Sequence, residues 1–116
     1  MKMIYTEMDD HRTINIRVGD GFTVRLVENP STGYRWFIER KGWLEIVKDE
    51  YVEDQHAPDE MGVGGHRIFD FKGTRAGINV LKMKKWRDWE GNSSIIATFQ
   101  LTVQVIRAPP PRQPRP

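Results

Sequence analysis

The sequence predicts an all-β fold, a β-sandwich of about seven or eight mostly antiparallel strands. Three observations carry this. Apolar residues recur at every second position through most of the chain, which puts them on one face of a pleated strand. The alternating stretches are short and separated by Gly, Pro and Asn turn signals. No stretch sustains the 3.6-residue period of an amphipathic helix.

Taken in order, Thr13–Val18 places Ile14, Ile16 and Val18 on one face and ends at Gly19-Asp20-Gly21, a hairpin-type turn. Phe22–Val27 aligns Phe22, Val24 and Leu26, and Tyr34–Glu39 aligns Tyr34, Trp36 and Ile38. Trp43–Asp54 fits either a strand (Leu44, Ile46) or a helical turn; its acidic residues Glu45, Asp49, Glu50, Glu53 and Asp54 suit a solvated edge. Arg67–Phe71 alternates through Phe69 and Phe71. Ile78–Trp86 sets Leu81 and Met83 against Ile78 and Val80. Ala97–Val105 is the clearest strand, with Ala97, Phe99, Leu101, Val103 and Val105 inward and Thr98, Gln100, Thr102 and Gln104 outward. Of the four Trp, Trp36 and Trp43 are the expected core members.

Composition bounds the function classes. The chain has 116 residues, enough for one domain with its own core. Residues 1–107 are expected to form that domain, and Ala108–Pro116 a disordered Pro/Arg tail, since Pro cannot join a ladder and little there is apolar. A PxxP-type ligand is the alternative reading of the tail. With no Cys, disulfides, zinc thiolates and Cys nucleophiles are excluded. No apolar run reaches the length of a membrane span and no secretory leader is visible, so no membrane partner is expected. The default location is cytoplasmic, with a secreted or periplasmic one open if a leader has been trimmed. The net charge is +2, but Arg107, Arg112 and Arg115 account for the excess; without them 15 basic residues face 16 acidic ones. That balance argues against nucleic acid as a partner. The one basic run, Lys82-Met83-Lys84-Lys85-Trp86-Arg87, is first a solvated outer face and only second a stacking patch for a single strand.

If each connection reverses the chain, three loops share one end of the sandwich. The first is Asn29-Pro30-Ser31-Thr32-Gly33, the second runs from Gln55 to Gly65 and closes on Gly62-Val63-Gly64-Gly65, and the third is Arg87 through Ser94. Each has a plain explanation. Asn-Pro-Ser-Thr-Gly is good turn material, Gly-Val-Gly-Gly is a flexible connector, and Trp89 can fold back on the sandwich. Together they read differently: a rigid turn, a strip of low bulk and an Arg/Trp loop make a binding surface, because backbone can approach a partner at glycines and Trp and Arg anchor interfaces.

At these residues the chain resembles the chagasin-like inhibitors of papain-family cysteine peptidases. The resemblance runs from about Thr13 to Ile106. Asn29-Pro30-Ser31-Thr32-Gly33-Tyr34-Arg35-Trp36 is similar to the family's N-P-T-T-G-[YF]-x-W, Gly62-Val63-Gly64-Gly65 to its G-x-G-G, and Arg87-Asp88-Trp89 with Gly91 to its R-P-W-x-G. The resemblance implies an immunoglobulin-like sandwich, monomeric and without a cofactor, that blocks the peptidase cleft with the three loops. It implies that Ser31 and Thr32 lie nearest the enzyme's Cys–His pair, with Asn29, Pro30, Gly33 and Tyr34 among the peptidase-binding residues of the same loop. Gly64 and Gly65 would let backbone follow the cleft, Trp89 would pack on an apolar wall, and Arg87 would support its loop or pair with the enzyme.

Two departures stand out. Ser31 replaces the usual Thr and loses a methyl contact, on the order of 1 kcal/mol at most. Asp88 replaces Pro, which removes a fixed φ beside Trp89 and adds a charge, so a looser third loop and weaker or altered binding are expected. Rival readings are fewer. His11, His56 and His66, with Asp59 and Glu60, fit no metal-ligand spacing, and no Ser/His/Asp elbow is present, so an enzyme is disfavoured. The remaining alternative is a non-inhibitory immunoglobulin-like module that binds protein or carbohydrate, since the fold alone decides nothing.

Overall fold

Phe22, Val24 and Leu26 are fully buried, and Leu101 and Val103 face them with no exposure of their own. In the computed structural model, which describes residues 2–54 and 64–107, these residues lie on the inner faces of two four-stranded sheets. The strands are β1 (Met3–Tyr5), β2 (Arg12–Arg17), β3 (Gly21–Glu28), β4 (Arg35–Arg40), β5 (Leu44–Glu53), β6 (Gly65–Gly73), β7 (Gly77–Trp86) and β8 (Ala97–Ile106). One sheet has the order β1-β3-β6-β5 and the other β2-β8-β7-β4. Pairing is antiparallel except that β1 runs parallel to β3 and β2 to β8.

The core is one cluster drawn from both sheets. Phe22 stacks on Phe71 at 5.4 Å between ring centroids, and Phe71 on Phe69 at 6.0 Å. Leu81, Met83, Phe99, Leu101 and Val105 close it from the second sheet. The inward and outward faces of β8 fall as the alternation predicts, with Ala97 at the margin.

The ambiguous segment Trp43–Asp54 is a strand, β5, and it forms an open edge of its sheet. Its charged side chains face solvent, as the edge reading anticipates. Trp43 corrects the expected core: it is 64% exposed, in the turn before β5, whereas Trp36 is buried. Val18 also departs from its expected face, because β2 ends one residue earlier and leaves it 39% exposed. The short parallel strand β1 and the 3₁₀ turn Glu7–Asp9 are additions to the strands the alternation predicts, because three residues are too few to carry a periodic signal.

Tying β1 to the sheet is Asp70, mostly buried, which accepts from Thr23 Oγ1 at 2.5 Å and from Lys2 Nζ at 3.2 Å. The Thr23 hydroxyl first, and the Lys2 ammonium after it, hold the Asp70 carboxyl below its ordinary value against the opposing effect of burial. A carboxylate with a lowered folded-state pKa contributes stability above its unfolded pKa and loses it as pH falls through the folded one. Asp70→Asn is therefore expected to cost about 1–2 kcal/mol at neutral pH. That difference should shrink to nothing as pH falls through and below the carboxylate range. Urea melts of both proteins at pH 7 and in acid check the trend; a gap that persists in acid would contradict it.

Candidate functional site

Chain reversal puts the β3–β4, β5–β6 and β7–β8 connections at one end of the sandwich, and the described parts of all three are in contact there. Asn29 starts the β3–β4 loop by capping a 3₁₀ turn, Pro30–Thr32, that has Pro in its first turn. Its Oδ1 accepts from the Ser31 N–H at 3.1 Å and from Ser31 Oγ at 2.8 Å. Thr32 Oγ1 donates to the Asn29 carbonyl at 2.7 Å, and the Tyr34 N–H donates back to Thr32 Oγ1 at 3.3 Å. Gly33 closes the turn in the left-handed region at φ +80°, which side chains rarely tolerate. The loop is exposed but internally bonded, so it is preorganised rather than slack.

The loop's two stems are fixed from beneath. Glu28, the last residue of β3, is completely buried. Its Oε1 accepts the Trp36 N–H at 2.7 Å and its Oε2 accepts from Arg67 Nε at 3.1 Å. Arg67 Nη1 reaches on to Asp49 at 3.3 Å, and the Trp36 indole donates to the Val27 carbonyl at 2.8 Å. One carboxylate thus ties β3, β4 and β6 at the root of the loop. Neither Glu28 nor Arg67 figured among the sequence-based site residues, although both sit at the inward parity of their strands.

Arg87 resolves the choice left open for it. Its Nε and Nη2 both donate to the Thr32 carbonyl, at 3.1 and 2.8 Å, and its guanidinium lies 4.3 Å from the Tyr34 ring centre. It therefore braces the first loop from the third. Trp89 does not fold back on the sandwich; it is 66% exposed. Its ring edge lies beside Gly33, where an added Cβ would come within 2.8 Å of it. The β7–β8 loop, expected to be loose for want of a proline, is wound into two 3₁₀ turns, Asp88–Glu90 and Asn92–Ser94. Buried Ser94 ties them: its Oγ accepts the Arg87 N–H at 3.0 Å and lies 2.7 and 2.9 Å from the Gly91 and Arg87 carbonyls.

The glycine strip divides. Gly64 lies against Asn29, joining the second loop to the first, with space for only a tight Cβ contact at 3.3 Å. Gly65 is buried in β6, and a Cβ there would fall 2.1 Å from the Val52 carbonyl, so the protein's own packing requires it. Gly62 and Val63 lie outside the described residues, as do His56, Asp59 and Glu60. His66 pairs through Nδ1 with Asp54 at 2.8 Å, across the neck of the second loop. The basic run on β7 offers no open stacking patch. Lys84 is buried, with its ammonium 3.6 Å from the Trp86 ring centre and bonded to Asn92, so the cation and the ring occupy each other. Beside the loops, Gly33, Arg35, Phe37, Trp86 and Asp88 border a recess of about 260 Å³ between the β4 and β5 edges.

The model of the chagasin family peptidase inhibitors, I42, matches residues 15–103. The chain belongs to that family. This chagasin-family chain is 36% identical to Amoebiasin-1 of Entamoeba histolytica over 104 residues, 89% of this chain and 99% of that protein. It is 28% identical to Chagasin of Trypanosoma cruzi, across 76% of this chain and 84% of that one. The crystal structure of a cysteine protease inhibitor from Entamoeba histolytica superposes with a TM-score of 0.81 at 28% identity, covering 90% of this chain and 96% of the other. The immunoglobulin-like sandwich expected from the motifs is thus the fold of this family member, and the family consists of peptidase inhibitors rather than enzymes.

Proposed function

We propose that this chagasin-family inhibitor closes the cleft of papain-family cysteine peptidases with its β3–β4, β5–β6 and β7–β8 loops. The observation that carries the reading is the Arg87 clamp on the Thr32 carbonyl, together with Trp89 seated beside Gly33. It makes the first and third loops one rigid wedge before any partner arrives. A wedge that is already ordered loses little conformational entropy on docking. A carbonyl held in a bonded turn is also poorly placed for attack by a nucleophile, so the loop can sit at a catalytic Cys without being cut. In this reading Asn29, Pro30, Ser31, Thr32, Gly33 and Tyr34 form the central contact. Trp89 and Asp88 lie on one flank and Gly64 on the other, with Gly62 and Val63 assigned to the same contact by the motif alone, while Gly65 serves the packing of β6.

Asp88 is the position where the family pattern has Pro. Its backbone N–H makes no hydrogen bond among the described residues, and it occupies the first position of a 3₁₀ turn, where Pro is readily accepted. Asp88→Pro is therefore expected to fold normally and to tighten inhibition of at least one papain-family enzyme several-fold, by stiffening the approach to Trp89. Inhibition constants against papain and a cathepsin L-type enzyme check this; no change for either would mean that Asp88 imposes no cost.

The proposed function is tested by titrating papain with this protein while following hydrolysis of a small fluorogenic substrate. Stoichiometric or nanomolar inhibition, with the protein recovered uncleaved, is expected. No inhibition of several papain-family enzymes at micromolar concentration would overturn the reading in favour of a non-inhibitory binding module.

A further inference from the structure

At the pole opposite the three loops the chain turns at Val18–Asp20, at Lys41–Trp43 and at Thr74–Ala76, and β8 ends there at Ile106. The turns are stitched together: the Gly19 N–H donates to the Gly73 carbonyl at 2.8 Å, and the Gly73 N–H to the Asp20 carbonyl at 3.0 Å. Trp43 stands out from this surface with most of its side chain in solvent. It is held there by both of its backbone polar atoms. Its N–H donates at 2.8 Å to Oδ1 of Asn79, itself nearly fully buried, and its carbonyl accepts from Thr74 Oγ1 at 3.2 Å. Gly42, at φ +60°, passes so close to Asn79 that an added Cβ would fall 2.4 Å from Oδ1. A buried amide and an obligatory glycine thus fix the presentation of an exposed indole.

The guanidinium of Arg75 lies 4.2 Å from the Trp43 ring centre. Stacking uses the face of a guanidinium and leaves its N–H groups free along the edge, which is the geometry that grips a carboxylate with two parallel bonds. Arg75 and exposed Arg107 border the same open hollow, of about 550 Å³, whose other walls are Val18, Thr74 and Ala76. Neither guanidinium has a carboxylate partner among the described residues. The one acidic side chain on the adjacent turn, Asp20, is engaged by the Arg17 N–H at 3.0 Å.

We infer that this pole is a second binding face, for an acidic segment of a partner protein, independent of the peptidase-blocking loops. One or two Asp or Glu carboxylates would pair with Arg75 and Arg107, and an intervening apolar side chain would pack on Val18 and the rim of Trp43. Trp and Arg are the residue types that anchor such contacts. A nucleic acid or an anionic membrane is gripped by a field of many cations, whereas one guanidinium stacked on an indole, a second beside it and the small apolar surface of Val18 and Ala76 suit a short peptide. Because the two faces lie at opposite ends of the sandwich, the inhibitor can hold a peptidase and this partner at once.

The test uses the full chain and a fluorescein-labelled peptide, Leu-Glu-Glu-Leu-Glu-Glu, read by anisotropy, with the Gln-for-Glu peptide as control. Saturable, salt-sensitive binding is expected for the acidic peptide alone. It should weaken at least tenfold in the double variant Arg75→Gln/Arg107→Gln and in Trp43→Ala, and stay unchanged in Trp89→Ala. The thermal midpoint of the double variant should match that of the parent, because both arginines are exposed. A dissociation constant weaker than about 1 mM would overturn the inference. So would full binding by the double variant, which would place the contact on other cations. Binding of phosphatidylserine vesicles or of a single-stranded oligonucleotide without binding of the peptide would likewise overturn it.

Discussion

Replacing Gly33 with alanine is expected to weaken inhibition of papain by about tenfold or more while leaving the fold intact. Two effects add. The residue sits at φ +80°, where a Cβ costs about 1–2 kcal/mol. The same Cβ would lie 2.8 Å from a ring carbon of Trp89, too close for the indole to keep its place. The substitution therefore distorts the central turn and displaces the flanking anchor at once, and a loss of 1.4 kcal/mol is already about tenfold in affinity. Gly33 lies in an exposed loop beyond the core, so the fold should persist, with the thermal midpoint lowered by the several degrees that a cost of about 1–2 kcal/mol implies. Inhibition constants for the parent, Gly33→Ala and Trp89→Ala decide the matter. If Gly33→Ala inhibits like the parent, the turn and the indole do not act as one unit.

Glu28→Ala is expected to be the most destabilising of the polar substitutions, by about 3–5 kcal/mol. Glu28 is fully buried, and its removal leaves the Trp36 N–H without its acceptor and the buried Arg67 guanidinium with only its longer contact to exposed Asp49. An uncompensated buried charge costs far more than the pair contributes when intact. The double variant Glu28→Ala/Arg67→Met should accordingly recover part of the loss, because it removes the under-paired cation as well. Urea denaturation of the two variants separates the cases. A double variant less stable than Glu28→Ala would show that Arg67 contributes mainly through Asp49 and its own packing.

The motifs made much of this architecture legible, and the residues show where legibility stops. Period-two alternation located the inward faces of β3, β6, β7 and β8 because each buries one face against the opposite sheet. Edge strand β5 was ambiguous for the converse reason: with little buried, no pressure keeps its apolar residues in register. Trp43 was misplaced because bulk and aromaticity suggest a core, while its exposure is imposed by Asn79 and Gly42, residues distant in sequence or without a side chain. The buried Glu28, Arg67 and Asn79 carry no apolar signal, yet each falls at the inward parity of its strand, next in step to Leu26, Phe69 and Leu81. That parity was the available signal. The Asn29–Gly33, Gly62–Gly65 and Arg87–Trp89 motifs marked the loops as special; that Arg87 braces Thr32 depends on a contact 55 residues apart, which no local pattern encodes.

The central claim is that the loops act together on one cleft. Amide hydrogen exchange of the free chain, compared with its complex with papain carrying a serine in place of the catalytic cysteine, tests it most directly. Slowed exchange is predicted at residues 31–34, at 64–65 and at 88–91, with no change at 42–44 or 74–77 on the opposite pole. Protection confined to a single loop, or appearing at the Trp43 pole instead, would contradict the account.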